Sequence, residues 1–333
     1  MIKQPQKHLS FAERNRRSGG YLLKRRAGEI AVSLVRAVLL LGLCFMIIQP
    51  LITRFLKSVM TSEDLYDNTV ILLPRNLTLD NYRLVFELTD MPVSLLNTAW
   101  ICAMISLCQV FCATLVAYAF ARFTFPLKKL CLGFVVLLII IPPQTLQVPL
   151  YLNFMNYDLF GIFKAILGHP LQLHGSIIPY TLMSLTCMGI KNGVLLFILM
   201  EYFKGVPVSL EEAAYVDGCS NVRTFVRIML PDAFPIIASC FLFSFVWQWT
   251  DEFYTTNFLS GYTTYSSAMS GLRGRILGYY AETATGAASG VSGVKIQQLT
   301  AISVLVCCVP LLVLYCFTQK TFVQSIVMTG SKE

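Results

Sequence analysis

The chain repeatedly runs apolar for the length a bilayer demands, and this leaves it few folds to adopt. From Ile30 to Thr53 the one charged residue is Arg36, and further apolar runs extend over 93–120, 130–150, 176–203, 233–253 and 299–317. A helix needs roughly 20 such residues to cross a hydrocarbon layer about 30 Å thick. Lipid offers the backbone no hydrogen bonds, so each run is predicted to be an α-helix that satisfies its own. The expected fold class is an all-α membrane protein with six transmembrane helices. Charged residues fill only 13% of the 333 positions, against about 25% in soluble domains, which excludes an ordinary soluble fold.

Charge then orients the helices. Arg14, Arg16, Arg17, Lys24, Arg25 and Arg26 precede the first run, so residues 1–29 are expected as a basic cytosolic tail, not a cleaved signal peptide. Six crossings return the short tail 321–333 to the same side, leaving 30–320 as one transmembrane domain in a cell membrane. Lys and Arg total 26 against 18 Asp and Glu. In a soluble protein that excess would point to nucleic acid, but here the cations flank apolar runs and serve membrane orientation. No nucleic-acid partner is expected.

Enzyme chemistry finds no foothold. The 11 cysteines lie mostly inside apolar runs, without the spacing of a metal site or a disulfide framework. His8, His169 and His174 are scattered, and no G-x-x-x-x-G-K-S/T phosphate loop is present. The chain is therefore expected to bind no cofactor or metal and to hydrolyse no ATP itself.

Several polar or strained positions fall at membrane depth. Pro142, Pro143 and Pro149 interrupt the third run, so its backbone groups must find partners in neighbouring helices or in a water-lined cavity. Lys191 and Asn192 sit within the fourth run. A lysine there must pair, snorkel or face water; it either reaches a companion subunit from a tilted or re-entrant helix or touches a translocated solute. Asn97, Gln144, Trp247, Gln248 and Trp249 complete the candidate pathway, since sugar sites combine hydrogen bonds with aromatic faces. Trp247 or Trp249 as a lipid-interface anchor is an equal reading. The loop 254–298 is read as a polar outer connection rich in Gly, Ser and Thr.

One segment, 205–232, breaks the apolar series with helix punctuation. Ser209 and Glu212 have capping-box spacing, Pro207 stiffens the approach, Gly218 suits the left-handed end of a first short helix, and Ser220 is placed to cap a second that carries Arg223 and Arg227 and stops before Pro231. The expectation is two short helices around a turn, and a contact between Arg223 and Asp217 is one way to brace them. By physics alone, such a pair is either an interfacial amphipathic loop or a docking element.

The same residues carry a resemblance. Glu212-Ala213-Ala214, then Gly218, then Ile228, Leu230 and Pro231 stand at the spacings of the EAA loop of binding-protein-dependent ABC importer permeases. VSLEEAAYVDG is similar to the carbohydrate-uptake branch related to the smaller maltose permease. LLPRNLTLDNYRLVF, LLNTAW, AYAFARFTFP, IPPQTLQVPLY and the C-terminal KTFVQSIVMTGSKE extend the likeness over about residues 35–333. In helix five, WQWTDEFYTT has Thr250 where that branch often has asparagine, which leaves the particular sugar open.

The resemblance implies a type I importer permease fold with a coupling helix. Glu212, Ala213, Ala214, Asp217 and Gly218 would engage a cytosolic ATPase, which would bind the ATP and Mg2+. A second permease subunit, two ATP-binding subunits or domains and an extracellular solute-binding protein would complete an importer for a carbohydrate. The alternatives are an ABC permease for a non-sugar solute and an ion-coupled secondary transporter, in which Lys191, Asp251 and Glu252 would titrate or bind ions.

Overall fold

The computed structural model describes residue 19 and residues 21–283 and 292–330, with the side chains of 22, 23, 143, 144, 147 and 321–330 left aside. Among the described residues the regular structure is helical apart from two isolated bridges, and the chain divides into two compact units, residues 1–78 and 79–333.

In the first unit, α1 (Tyr21–Ser58) begins earlier than the expected Ile30, so Lys24, Arg25 and Arg26 belong to the helix, and Arg25 pairs with Glu29 at 2.9 Å. Its 38 residues make a rod about 57 Å long. From Ile30 to Phe55 its apolar side chains stay exposed, which suits lipid and not water. After it, Thr61 caps α2 (Ser62–Tyr66). Buried Asp64 accepts the Arg75 and Asn76 N–H groups at 2.7 and 2.6 Å, closing the 59–78 loop where Met60 bridges Leu77.

The second unit is built around α4. Short α3 (Asp80–Thr89) turns through left-handed Asp90 into α4 (Met91–Arg122). Along α4 the buried positions include Ser94, Thr98, Ile101, Cys102, Ile105, Ser106, Gln109, Ala113 and Ala117. That is one stripe at helical spacing, rich in small residues that let neighbouring backbones approach.

The third run is broken as its prolines require. α5 (Lys128–Ile140) ends before Pro142, a 3-10 turn spans Pro143–Leu146, and α6 (Gln147–Met155) follows. Pro149 is tolerated because it lies in the first turn of α6, where N–H groups lack helical partners anyway. After α7 (Ile162–Leu167), the fourth run departs from expectation. It is two helices, α8 (Ile178–Leu185) and α9 (Asn192–Gly205), not one continuous helix. Between them Cys187 and Lys191 adopt φ of 61° and 50°, a left-handed conformation that ends a helix. Gly193 at the start of α9 lets α5 come close: a Cβ there would meet Ile139 Cγ1 at 2.7 Å.

Beyond α9 come α10 (Ser209–Val216), α11 (Asn221–Thr224), a π-turn at Phe225–Met229, α12 (Leu230–Asp232) and α13 (Phe234–Trp249). The connection 254–298, expected as a polar outer loop, is largely helical among its described residues. It holds α14 (Phe253–Phe258) and α15 (Tyr265–Thr283) before α16 (Gly293–Gly330), with 284–291 outside the described residues. The Tyr265 N–H donates to Thr98 Oγ1 at 2.8 Å and Arg275 to the Leu88 carbonyl at 2.7 Å, so α15 is tied back to α3 and α4.

Among the described residues, α1, α4 and α16 are each long and apolar enough to cross a membrane. Apolar α9 and α13 join bent neighbours, at 68° to α10 and at 73° from the segment Asn221–Asp232. This is a multi-pass membrane fold whose remaining apolar runs are broken helices, not straight rods.

Candidate functional site

The loop between α9 and α13 follows its local punctuation with one exception. The Leu210 N–H donates to the Pro207 carbonyl at 3.3 Å, and Glu211 and Glu212 donate to Val208 at 3.0 and 3.1 Å. Backbone carbonyls therefore occupy the first turn of α10, Val208 is the N-cap, and the expected Ser209–Glu212 capping box does not form. At the other end Gly218 takes φ 78°. Its N–H donates to Tyr215 at 3.0 Å while the Cys219 N–H donates to Ala214 at 2.9 Å, the paired bonds of a Schellman motif. Ser220 accepts the Arg223 N–H at 3.4 Å and starts α11 as expected.

The π-turn precedes Pro231, which has no N–H to give and whose ring would press on the carbonyl four residues back. The ladder widens there, and the Leu230 N–H reaches Phe225.

A buried ion pair fastens this loop to α4. Arg122 Nε donates to Glu211 Oε1 at 2.9 Å, with the two side chains only 8% and 6% exposed, and the same guanidinium donates to the Val206 carbonyl at 2.7 Å. One turn earlier, the ring of Tyr118 packs on Phe203 of α9 and on Phe225 after α11, at centroid distances of 5.4 and 4.7 Å. Both arms of the loop thus rest on the last two turns of a single helix.

Of the residues singled out from sequence, Glu212, Ala213, Asp217 and Gly218 are exposed and Ala214 is buried. No ion pair joins Asp217 to Arg223 among the described residues. The free face also carries Val216 and Val222, 87% and 74% exposed, at the turn between the arms. Glu211 escaped the sequence reading because it stands beside the motif. The available signal was phase: 211 and 214 share one face of a helix, and the chain places an arginine at the end of an otherwise uncharged span.

The membrane-depth candidates separate into two groups. Lys191 is exposed at the N-cap of α9, its Nζ 4.8 Å from the Trp247 ring centroid, and Trp247 stacks on Phe243. Gln248 and Trp249 face inward. The Gln248 amide donates to Gln109 Oε1 at 2.9 Å and its carbonyl accepts the Tyr180 hydroxyl, while the Trp249 indole donates to Cys307 Sγ at 3.0 Å. Asn97 donates to the Thr263 carbonyl at 3.0 Å. Asn192 is 2% exposed, buried beside the break before α9. Gln144 lies in the 3-10 turn, and its side chain falls outside the described part of the structure.

Sequence reading passed over Gln109, the hub of the buried group. It donates to the Ile190 carbonyl at 2.7 Å and accepts from Ser244 at 2.8 Å and from Gln248. It therefore stitches α4 to α13 and to the break before α9. A separate groove of about 350 Å3 between α4 and α13 is lined by Phe111, Phe234, Phe241 and other carbon-rich side chains. Its one hydroxyl, Thr114, is already bonded to the Val110 carbonyl.

Comparison with known proteins now decides the family. Residues 109–326 match the binding-protein-dependent transport system inner membrane component. The chain belongs to that family. A "probable ABC transporter permease protein" of Pyrococcus horikoshii is 30% identical over 86% of this chain and 92% of its own. The maltodextrin transport system permease of Streptococcus pneumoniae is 26% identical over 93% of this chain and 98% of its own. A solved bacterial ABC transporter involved in import of the acidic polysaccharide alginate shares the fold at TM-score 0.67 and 18% identity, covering 89% of this chain and 98% of that one. This permease is a non-catalytic membrane subunit.

Proposed function

We propose that this permease forms half of the translocation pathway of an ATP-driven, binding-protein-dependent carbohydrate importer. The observation that carries the reading is the helical pair at 209–224, rigidly based on α4 through Arg122 and Tyr118, with the motif residues Glu212, Ala213, Asp217 and Gly218 left free on its other side. A compact element fixed at its base and bare at its tip suits docking to a mobile partner. A relative of nearly full coverage that is a maltodextrin transport system permease supports a carbohydrate as solute.

In this reading the spans are α1, α4, α5 with its broken continuation, α9 with α8, α13 and α16, six crossings with both ends in the cytosol of a bacterial cell. A second homologous permease completes the path. Two ATPase subunits hold the ATP and Mg2+, one of them binding residues 209–224 of this chain, and an extracellular binding protein delivers the solute. ATP closes the ATPase pair, and the loop converts that closure into exposure of the path to the outside. ATP shifts the equilibrium only as far as it binds one state more tightly than the other. Trp247 with Lys191 above its face offers an aromatic surface and a donor for a sugar ring, and Asn97, Gln144, Asn192, Gln248 and Trp249 are the remaining pathway candidates.

The test is uptake by the reconstituted complex of a saccharide that its own binding protein retains from a panel. ATP-dependent uptake without an ion gradient is the expected result. Uptake that follows an imposed ion gradient and ignores ATP would defeat the reading.

A further inference from the structure

We infer that the Arg122–Glu211 pair is the joint through which motion of the docking loop reaches the membrane helices, with both as positioning residues. The inference rests on the coupling reading and deepens it. Three observations converge on one place. First, the pair links positions 89 residues apart, the end of α4 and the first turn of α10. Second, the same guanidinium holds the Val206 carbonyl, so Arg122 grips the loop both before and inside α10. Third, the residues assigned to the partner's side of α10 take no part in this grip: Glu212 and Asp217 point charge to solvent while Glu211 is buried beneath them.

A rigid coupling needs directional contacts, because apolar surfaces slide over one another while a charge-assisted hydrogen bond fixes angle as well as distance. Tyr118 packs on Phe203 and Phe225, contacts that resist separation and permit rolling, and the Tyr202 hydroxyl donates to Asp232 at 2.8 and 3.0 Å, which ties the far end of the loop to α9 and leaves α10 itself to Arg122. Among the described residues, Arg122 supplies the ion pair between this loop and the helix bundle. A push on α10 therefore turns α4, and α4 carries Gln109, which is bonded to α13 and to the break before α9. Removal of the ion pair leaves a docked loop that rolls without moving the bundle.

The experiment needs no knowledge of the solute. In a cysteine-depleted complex with its companion permease and ATPase subunits, a cysteine is placed at Phe111, on the groove face of α4. Its labelling by N-ethylmaleimide is followed with and without ATP and Mg2+. The parent complex is expected to change its labelling rate on ATP binding. Glu211→Gln, which keeps the side-chain shape and a hydrogen-bond acceptor, and Arg122→Gln should each reduce that response at least fivefold while the ATPase subunits still co-purify. Arg122→Lys, which keeps a charged donor for Glu211 and for the Val206 carbonyl, should retain at least half of it.

A parent-sized response in both glutamine variants would overturn the inference, and so would loss of the ATPase subunits from them, which would make the pair part of docking. A response in Arg122→Lys as low as in Arg122→Gln would overturn it as well. A parent complex that neither retains ATPase subunits nor responds to ATP would instead overturn the coupling reading itself.

Discussion

Two of the polar contacts along helix α4 are of opposite character. At Arg122 the contact is a charged pair with the loop, and at Gln109, thirteen positions earlier and about 20 Å along the axis, it is a neutral network with Ser244, Gln248, Tyr180 and the Ile190 carbonyl. The difference follows the cost of charge. A bare ion deep in hydrocarbon is expensive, whereas amides and hydroxyls satisfy one another with no net charge to desolvate. Near the end of a span, an arginine keeps its charge by burying it against a carboxylate and a carbonyl. The neutral network binds helices of the bundle to one another. The ion pair binds the bundle to something outside it.

That contrast predicts unequal consequences. Glu211→Ala leaves the Arg122 guanidinium buried without its counter-ion, so a loss of about 3–5 kcal/mol is expected, read as earlier loss of the monodisperse species on heating the purified complex. A loss under about 1 kcal/mol would show that the charge finds water easily and would erase the distinction. Gln109→Leu strands the Ile190 carbonyl and two donors, and about 2–3 kcal/mol is expected by the same assay. Adding Gln248→Leu should cost clearly less than the sum of the two single changes, because they share one network; strict additivity would mean that the glutamines act separately.

Smaller effects test the loop and the exposed lysine. Gly218→Val forces a β-branched residue to φ 78°, at a cost of about 1–2 kcal/mol. Insertion should survive, while stimulation of ATP hydrolysis by the loaded binding protein is lost; normal stimulation would remove Gly218 from the coupling role. Lys191→Met should cost least, about 0.5–1 kcal/mol, and should alter the fluorescence of Trp247. Unchanged emission would mean that the ammonium does not rest on that ring.

Much of this was legible in the order of residues. Apolar runs announced the helices, Pro142 and Pro143 marked the break after α5, and Gly218, Ser220 and Pro231 outlined the two arms of the loop. These signals work within a few residues, where backbone sterics and capping decide the outcome. The expected capping box failed for a reason equally local: Pro207 and Val208 offered carbonyls to the first turn before Ser209 could act. The break at 186–191 was harder to read. Neither Cys187 nor Lys191 is a residue that advertises a left-handed turn, yet both adopt one, and the Ile190 carbonyl freed there is taken up by Gln109 from another helix.

By itself the sequence determined the helical class, the membrane setting and the shape of the loop, since these depend on hydropathy and on short-range backbone rules. Tertiary structure alone decided which of two adjacent glutamates faces inward, which arginine it meets across 89 positions, and which glutamine becomes the centre of the bundle. The physical reason is that a buried polar group is tolerated only where packing brings its partner to it, and packing depends on the rotation of whole helices against one another.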